Sequence, residues 1–341
     1  MAALDLSTAM HTLHIRPVLR RMVRDSASAR NDTLTREELP IGPLKALIGD
    51  ANMMGYRNLH VSGTDASRYS GLSDLLRAGR NVGMTTTVTV PASRLWDENW
   101  IRARSYVNHA IIPFSGTPRD YDRAMGRDGA FDESLEDIAD LHAQGVKFGL
   151  SFTLTQDNAA RIDFVVRQAV ELGAAFVRIT PFAARMARDA ASKALKPDAL
   201  ERLAAALEAR RLGKQAGIPV RVDLVSAAEL IARKGDYVPE PPLKALAEIA
   251  QQLVVCGDGK ILPLNRAVDP CLSLGNLADG PLARLAGEWL VDGRAAALAQ
   301  SCDLAWHALT AGHPNLPYTW AEEVAARTGM APKTLRINQV A

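Results

Sequence analysis

The feature that most constrains the fold is an alternation of short strand-like runs and amphipathic helical runs between Leu13 and Asp223. Strand-like runs such as "TLHI", "NLHVSG" and "MTTTVTV" are separated by helical segments such as "LSDLLRAGRNVG". Alternation of this kind predicts parallel strands joined by right-handed crossovers. About six units and a seventh strand fall short of the eight units and about 250 residues of a complete barrel. The sequence therefore predicts an α/β fold, a partial (β/α)6 barrel.

An arginine-rich segment, "IRPVLRRMVRDSAS", follows the first predicted strand. We expect it to be the loop that leaves this strand, at the edge of the sheet where barrel enzymes build their sites. The first helix is expected within "TREELPIGPLKALIGDANMMG", because Thr35 and Glu38 have the spacing of a capping box and Gly55 suits a helix end.

Prolines interrupt the alternation in "RKGDYVPEPPL", where Pro239, Pro241 and Pro242 cannot continue a helix. We therefore divide the chain into a barrel (1–233), a Pro-rich linker (234–243) and a small C-terminal α+β extension (244–341). Within the extension, "LVVCGDGKILPL" predicts two strands joined by a Gly-Asp-Gly turn. The tail is expected to be mostly helical.

Charge and cysteine content narrow the possible functions. The 40 basic and 38 acidic residues leave a formal charge of +2, which provides no global field to attract nucleic acid or an anionic membrane. No run approaches the roughly 20 apolar residues that span a bilayer, and the N-terminus lacks the features of a secretory signal. We expect a cytoplasmic protein with no nucleic-acid or membrane partner. Cys256, Cys271 and Cys302 lie too far apart for a disulfide framework or a metal knuckle.

Three further segments carry a resemblance to a known family. The segment "IPFSGTPRDYDRAMGRDGAFDESLEDIADLHAQGVKFGLSFTLT" is similar to the fourth strand, glycine-containing loop, helix and fifth strand of the radical S-adenosylmethionine (radical SAM) superfamily. "DGKILP" and "LGNLADGPLARL" are similar to the "DGxVxPC" and "GN(I/V)xxxxLxxIW" segments of its SPASM or twitch-like extensions. Over about 12–290, the chain thus resembles a radical SAM protein with such an extension.

The resemblance implies a CxxxCxxC loop after the first strand, whose thiolates hold a 4Fe-4S cluster. Aligning "PVLRRMVRDS" with that loop places Pro17, Arg21 and Arg24 at the cysteine positions. Proline has no ligand atom in its side chain, and a guanidinium has no lone pair for iron, whereas iron–sulfur clusters need thiolates or, less often, imidazoles. We expect a degenerate cluster loop, no iron–sulfur cluster, no metal and no reductive cleavage of SAM. We expect His14 to be an exposed polar group at the strand start.

The resemblance also implies positions that contact SAM. "VSGTDAS" matches the family's "GGEP" loop, so Gly63 keeps backbone access while Thr64 and Asp65 supply an acceptor for the amino group of SAM. Arg178 in "VRITPF" resembles an arginine that faces the SAM carboxylate. The candidate ligand-binding residues are Gly63, Thr64, Asp65, Ser115, Thr153, Thr155 and Arg178. SAM or a related nucleotide is a candidate ligand, but strand threonines also serve β-propensity and Ser-Gly also forms turns.

Three functions remain open, and no catalytic residue is assigned. The first is a cluster-less binding or accessory protein, whose partner is a precursor peptide or an active radical SAM enzyme in peptide or cofactor maturation. The second is an enzyme with non-radical chemistry that binds SAM, a nucleotide or an anionic substrate at the barrel mouth through arginines. The third is an ordinary partial-barrel enzyme that shares only the architecture. The arginines could also form a solvated turn with Asp25 and Asp32.

Overall fold

The computed structural model describes residues 11–24, 32–63, 65–183 and 194–328. The strands in these ranges are β1 (Thr12–Ile15), β2 (Val18–Arg24), β3 (Asp32–Glu38), β4 (Asn58–Val61), β5 (Thr85–Thr89), β6 (His109–Pro113), β7 (Phe148–Leu154), β8 (Val177–Pro181), β9 (Val220–Val222), β10 (Val225–Ser226), β11 (Gln252–Val255), β12 (Lys260–Pro263), β13 (Gly275–Asn276) and β14 (Pro317–Tyr318).

The α-helices in the same ranges connect these strands and cover the sheet. They are α1 (Ile41–Met53), α2 (Leu72–Asn81), α3 (Glu98–Ala103), α4 (Pro118–Met125), α5 (Ala130–Ala143), α6 (Ile162–Glu171), α7 (Ala199–Ala216), α8 (Ala227–Ala232), α9 (Lys234–Tyr237), α10 (Leu246–Ile249), α11 (Leu282–Val291), α12 (Arg294–Thr310) and α13 (Trp320–Arg327). In this part of the chain, no helix combines the length and apolarity needed to cross a membrane.

A ten-stranded sheet organises the fold, in the order β13-β12-β11-β1-β4-β5-β6-β7-β8-β9. The run from β1 through β4 to β9 is parallel throughout, and from β4 onwards each strand lies beside the next one along the chain. This arrangement confirms the predicted α/β partial barrel. The hairpin predicted in the C-terminal extension is also present as β11 and β12.

That hairpin continues the barrel sheet, because β11 pairs in parallel with the free edge of β1, Thr12 opposite Gln252. The strand residues Leu13, Ile15 and Leu59 are fully buried and belong to the same apolar core as Leu253 and Trp289 of the C-terminal third. The two predicted domains thus share one sheet and one core. The proposed division at 233 and 243 stays a prediction.

The helix α7, Ala199–Ala216, has well-defined ends. Its first turn has a capping box, in which Asp198 accepts from the Glu201 amide at 2.8 Å and Glu201 accepts from the Asp198 amide at 2.6 Å. Gly217 ends the helix in the left-handed conformation (φ +67°), which glycine adopts without steric cost.

The segment between β1 and α1 differs from the prediction. The arginine-rich segment is not a simple loop: Val18–Arg24 forms β2, which pairs antiparallel with β3 from Val18 opposite Glu38 to Arg24 opposite Asp32. We call these two strands the ribbon. The predicted capping box at Thr35 and Glu38 is wrong, because both residues lie in β3 and α1 begins only at Ile41.

Candidate functional site

The ribbon leaves the barrel at the C-terminal end of β1. The Arg16 amide donates to Val255 O of the neighbouring β11 (2.9 Å), and the Ser62 amide after β4 donates to Ile15 O (3.0 Å). Pro17, which is buried, closes the base of the ribbon by accepting a hydrogen bond from the Leu39 amide (2.8 Å). The ribbon therefore stands at the edge of the sheet where barrel proteins build their sites.

An ion pair ties the ribbon to the loop after β4. Arg20 donates from Nε to Asp65 Oδ2 and from Nη2 to Asp65 Oδ1, the latter at 2.7 Å. The Asp65 side chain is 2% exposed and the Arg20 side chain 35% exposed, and Arg36 Nε lies 4.0 Å from Asp65 Oδ2. The carboxylate that the sequence offers as a ligand acceptor is therefore neutralised by the ribbon's own arginine.

The ribbon also contacts the segments on either side of the C-terminal end of β1, namely the loop after β4 and the β11–β12 turn. On the β4 side, Arg36 Nη2 donates to Arg68 O (2.7 Å), and Glu38 Oε2 accepts from the Ser70 amide (3.2 Å). On the β11 side, a Cβ at Gly257 would lie 2.9 Å from Val18 O, so glycine is needed for the β11–β12 turn to approach the ribbon. The ribbon is packed between the two turns.

For Arg21 and Arg24 of the predicted cluster loop, the structure describes the backbone alone. Arg21 and Arg24 lie on β2, in backbone register with Thr35 and Asp32; their side chains, like all of Thr64 and Asp25, fall outside the described residues. For Arg20, the partner is Asp65 and not one of the aspartates expected for a solvated turn.

The residues at this position do not fit an iron–sulfur cluster. Pro17, Arg21 and Arg24 provide no thiolate or imidazole, and the chain has no cysteine before Cys256. Cys271 is exposed and Cys302 is buried on α12. Across the described residues, no group of three or more His, Cys, Asp or Glu side chains is arranged to hold a metal ion.

A pair of histidines lies on the inner face of the barrel, in adjacent positions of β1 and β4. The rings of His14 and His60 are 4.8 Å apart between centroids. His14 Nε2 lies 2.6 Å from Ser62 Oγ, and His60 Nδ1 lies 2.9 Å from Thr87 Oγ1. The expectation that His14 is an exposed polar group is wrong, because the partial barrel curves its inner face around it.

Burial and positive charge keep both imidazoles neutral. Burial lowers the pKa of His14 well below its usual value, and His60 and Arg16 lower it further. The pKa of His60 falls to about 3, through burial first and then the charges of Arg178 and Arg16. Arg16 follows β1 and Arg178 lies on β8, yet the charges of both lower the pKa values of His14 and His60. We call the interior space around these four side chains the lumen.

Arg178 is engaged by an acidic residue of the chain itself. Its Nε donates to Asp223 Oδ2 at 2.7 Å, and Thr180 Oγ1 donates to the same oxygen at 2.8 Å. Arg221 Nε lies 3.2 Å from Asp223 Oδ1. A ligand carboxylate at Arg178 would therefore compete with Asp223.

The remaining candidate residues line the C-terminal ends of β6 and β7. Ser115 follows Phe114, whose amide donates to Ser151 O of β7 (2.8 Å). Asn158 links the other two, since its Nδ2 donates to Thr153 O and its Oδ1 accepts from the Thr155 amide, both at 2.8 Å. No hydrogen bond among the described residues joins Ser115, Thr153 or Thr155 to Asp65 or Arg178.

Sequence reasoning missed His60, Asp223 and the interior position of His14. A signal was present, because parallel strands covered on both faces read as continuous apolar runs. In "TLHI" and "NLHV", histidine alternates with fully buried aliphatic residues. Period-two alternation in a parallel strand indicates a polar second face, here the face that lines the barrel.

Comparison with known proteins gives distant relatives, and no family model matches the chain. PqqA peptide cyclase of Ruegeria pomeroyi is 24% identical over 245 residues, which cover 69% of this chain and 62% of that protein. PqqA peptide cyclase of Gluconobacter oxydans is 25% identical over 255 residues, which cover 73% of this chain and 68% of the relative. The chain therefore matches less than two thirds of the length of the first of these relatives.

Solved structures share the fold. SuiB of Streptococcus suis, bound to precursor peptide SuiA, superposes with a TM-score of 0.56 at 14% identity, over 85% of this chain and 66% of that one. The anSMEcpe protein with bound AdoMet gives 0.57 at 13% identity, over 95% of this chain and 97% of that one. Together these proteins confirm the resemblance inferred from the sequence.

Proposed function

We propose that this chain, radical SAM-like in sequence and fold, carries no iron–sulfur cluster and acts as a binding or accessory protein in peptide maturation. The observation that carries the proposal is the ribbon: the residues that the resemblance aligns with the cluster cysteines, Pro17, Arg21 and Arg24, lie in or next to a hydrogen-bonded strand. Without thiolates there is no cluster to deliver the electron that reductive SAM cleavage needs.

The ribbon's attachments support the same conclusion. A loop that wraps a cluster must turn its ligands toward one point, whereas β2 is paired with β3 along its whole length. Asp65, at the position matched to the amino-group acceptor, holds Arg20. Asp65, which the resemblance assigns to the amino group of SAM, thus holds the ribbon to the loop after β4 in this chain.

The names of the relatives support a peptide as the partner. Two are peptide cyclases, and one solved neighbour holds its precursor peptide. We propose that this chain binds a precursor peptide, or the active enzyme that modifies one, in the cytoplasm. The barrel, linker and extension defined from the sequence are the proposed units of that protein.

A second candidate function is favoured by the positively charged lumen. An enzyme with non-radical chemistry that binds a nucleotide, another anionic substrate or the carboxylate of SAM would use the same mouth, where Gly63 has a φ of +123° and no side chain. Calorimetry with SAM and S-adenosylhomocysteine separates the two candidates. Binding together with turnover would favour this second function.

Association with a peptide tests the main proposal. The protein is titrated with candidate precursor peptides and with a radical SAM enzyme encoded beside it, using a scrambled peptide as the control. The proposal predicts micromolar association with one of these partners and none with the scrambled peptide. Absence of association with every native partner would count against it.

A further inference from the structure

A half-buried arginine at the base of the ribbon, Arg16, has no carboxylate partner among the residues that the structure describes. Arg16 follows β1 directly, between the ends of β4 and β11. Within the described ranges, its guanidinium makes no hydrogen bond and no ion pair with a carboxylate. By contrast, Arg20 pairs with Asp65, and Arg178 pairs with Asp223. A charge removed from water without a partner is costly, so this group is suited to bind an anion.

Neighbouring groups increase the positive potential around Arg16. Burial lowers the pKa of Arg16, and the charge of Arg266 lowers it further. The thiol of Cys256 is no counter-ion, because burial and Asp258 raise its pKa. Asp223, the carboxylate of this lumen, is already shared by Arg178 and Arg221.

Gly63 lies beside Arg16 on the β4 side. Gly63 has a φ of +123°, and a Cβ built there would lie 3.8 Å from both Cβ and Nε of Arg16. A methyl group at position 63 would therefore be in ordinary van der Waals contact with Arg16. A side chain at 63 would be strained and would crowd the approach to the arginine.

We propose that Arg16 binds a carboxylate of the peptide that enters the barrel, from an acidic side chain or the chain terminus. This inference rests on the proposed peptide-binding function and names the group that is recognised. A guanidinium binds a carboxylate through two parallel hydrogen bonds, which fixes the ligand's orientation as well as its charge. Lysine would keep the charge but lose this geometry.

The test uses a matched pair of probes with the full-length protein. N-acetylglutamate amide carries one side-chain carboxylate, and N-acetylglutamine amide is its neutral isostere. S-adenosylhomocysteine supplies a free amino-acid carboxylate as the other possible source. Binding is measured by NMR titration for the wild type, Arg16→Gln, Arg16→Lys and a control, Arg119→Gln, whose arginine is exposed on α4.

We expect the glutamate probe to bind the wild type and Arg119→Gln alike and the glutamine probe to bind neither measurably. Arg16→Gln should weaken binding of the glutamate probe about 10- to 100-fold, and Arg16→Lys should fall between. Equal binding of the two probes, or no effect of Arg16→Gln, would overturn the proposal. Binding of S-adenosylhomocysteine alone, dependent on Arg16, would overturn the peptide as the source.

Titration of the His60 imidazole shows whether the variant is intact. Because burial lowers the pKa of His60 more than the Arg16 charge does, a folded Arg16→Gln protein should show a small rise that stays well below the 6.5 of an unfolded chain, while Arg119→Gln should leave the pKa unchanged. Failure of the peptide-binding function is recognised separately, by the absence of association with native partners while the glutamate probe still binds through Arg16.

Discussion

Arg20 and Asp65, 45 residues apart in the sequence, are joined by two hydrogen bonds that fasten the ribbon to the loop after β4. The two side chains are unequally buried, 35% exposed for Arg20 and 2% for Asp65. Removing the arginine leaves a carboxylate out of water, whereas removing the carboxylate leaves an arginine that can still reach solvent. The pair should therefore respond asymmetrically to substitution.

The first prediction follows from this asymmetry. Arg20→Gln should lower the free energy of unfolding by about 1–3 kcal/mol, because Asp65 keeps its charge and loses its main partner. Asp65→Asn should cost less. Urea unfolding of both variants and the double variant measures the effect, with Arg77→Gln as the control, since Arg77 pairs with Asp74 on the surface. An Arg20→Gln variant as stable as the control would contradict the prediction.

The second prediction concerns the turn that packs against the ribbon. Gly257→Ala would place a methyl group 2.9 Å from Val18 O and 3.0 Å from Leu19 Cα, so the base of β2 must shift. We expect a loss of about 1–3 kcal/mol, typical of overpacking, and faster tryptic cleavage in the ribbon.

Gly49→Ala is the matched control for that substitution. Gly49 lies within α1, where a Cβ would meet nothing within 4 Å. Alanine there should be neutral or should stabilise the protein by about 0.5–1 kcal/mol through helix propensity. If Gly257→Ala left both stability and ribbon cleavage at the wild-type level, the close packing of ribbon and turn would be wrong.

The third prediction is a loss of stability at mildly acidic pH. The pKa of His60 is lowered from 6.5 to about 3, and that of His14 is also lowered. Below about pH 6.5 these histidines bind protons in the unfolded chain but stay neutral in the folded protein. The free energy of unfolding is therefore highest above that pH and falls as the pH drops toward 3. His60 contributes about 1.4 kcal/mol per pH unit in this window, and His14 adds to the slope in the same direction.

His60→Gln should therefore flatten the dependence of stability on pH between about pH 7 and about pH 5. The control is His307→Gln, because the His307 side chain is 65% exposed. Thermal unfolding across this range measures both variants. An unchanged slope in His60→Gln would show that His60 takes up its proton in the folded protein as readily as in the unfolded chain.

The fourth prediction concerns the shared carboxylate of the lumen. Asp223→Asn removes the charged carboxylate that Arg178 and Arg221 share, so the free energy of unfolding should fall by about 1–3 kcal/mol. Asp163→Asn is the control, because Asp163 and Arg167 form an exposed pair on α6. Equal stability of the two variants would mean that Asp223 contributes no more than a surface charge.

The parallel sheet was predictable because its signals are local. Alternating apolar runs define strands such as β4 and β5, and caps such as Asp198 and Gly217 define a helix within a few residues. The Gly-Asp-Gly turn likewise marks the β11–β12 hairpin. Pairing of β11 with β1 was not predictable, since it joins residues about 240 positions apart and no local sequence signal specifies it.

The ribbon was missed because an isolated two-stranded ribbon is at best marginally stable in water. What holds it lies elsewhere in the chain, at Asp65, Arg68, Ser70 and Gly257. That Pro17, Arg21 and Arg24 cannot bind iron follows from their residue types alone. The partner of the neighbouring Arg20 could not be predicted, because only the tertiary fold brings Asp65 next to it.

Iron content after anaerobic reconstitution with iron and sulfide tests the central claim most directly. It is measured on the purified full-length protein, together with 5′-deoxyadenosine formed from SAM under reducing conditions. The account predicts a colourless protein with no stoichiometric iron and no 5′-deoxyadenosine above the protein-free control. A brown protein that holds about four irons, as a 4Fe-4S cluster requires, and cleaves SAM would contradict it.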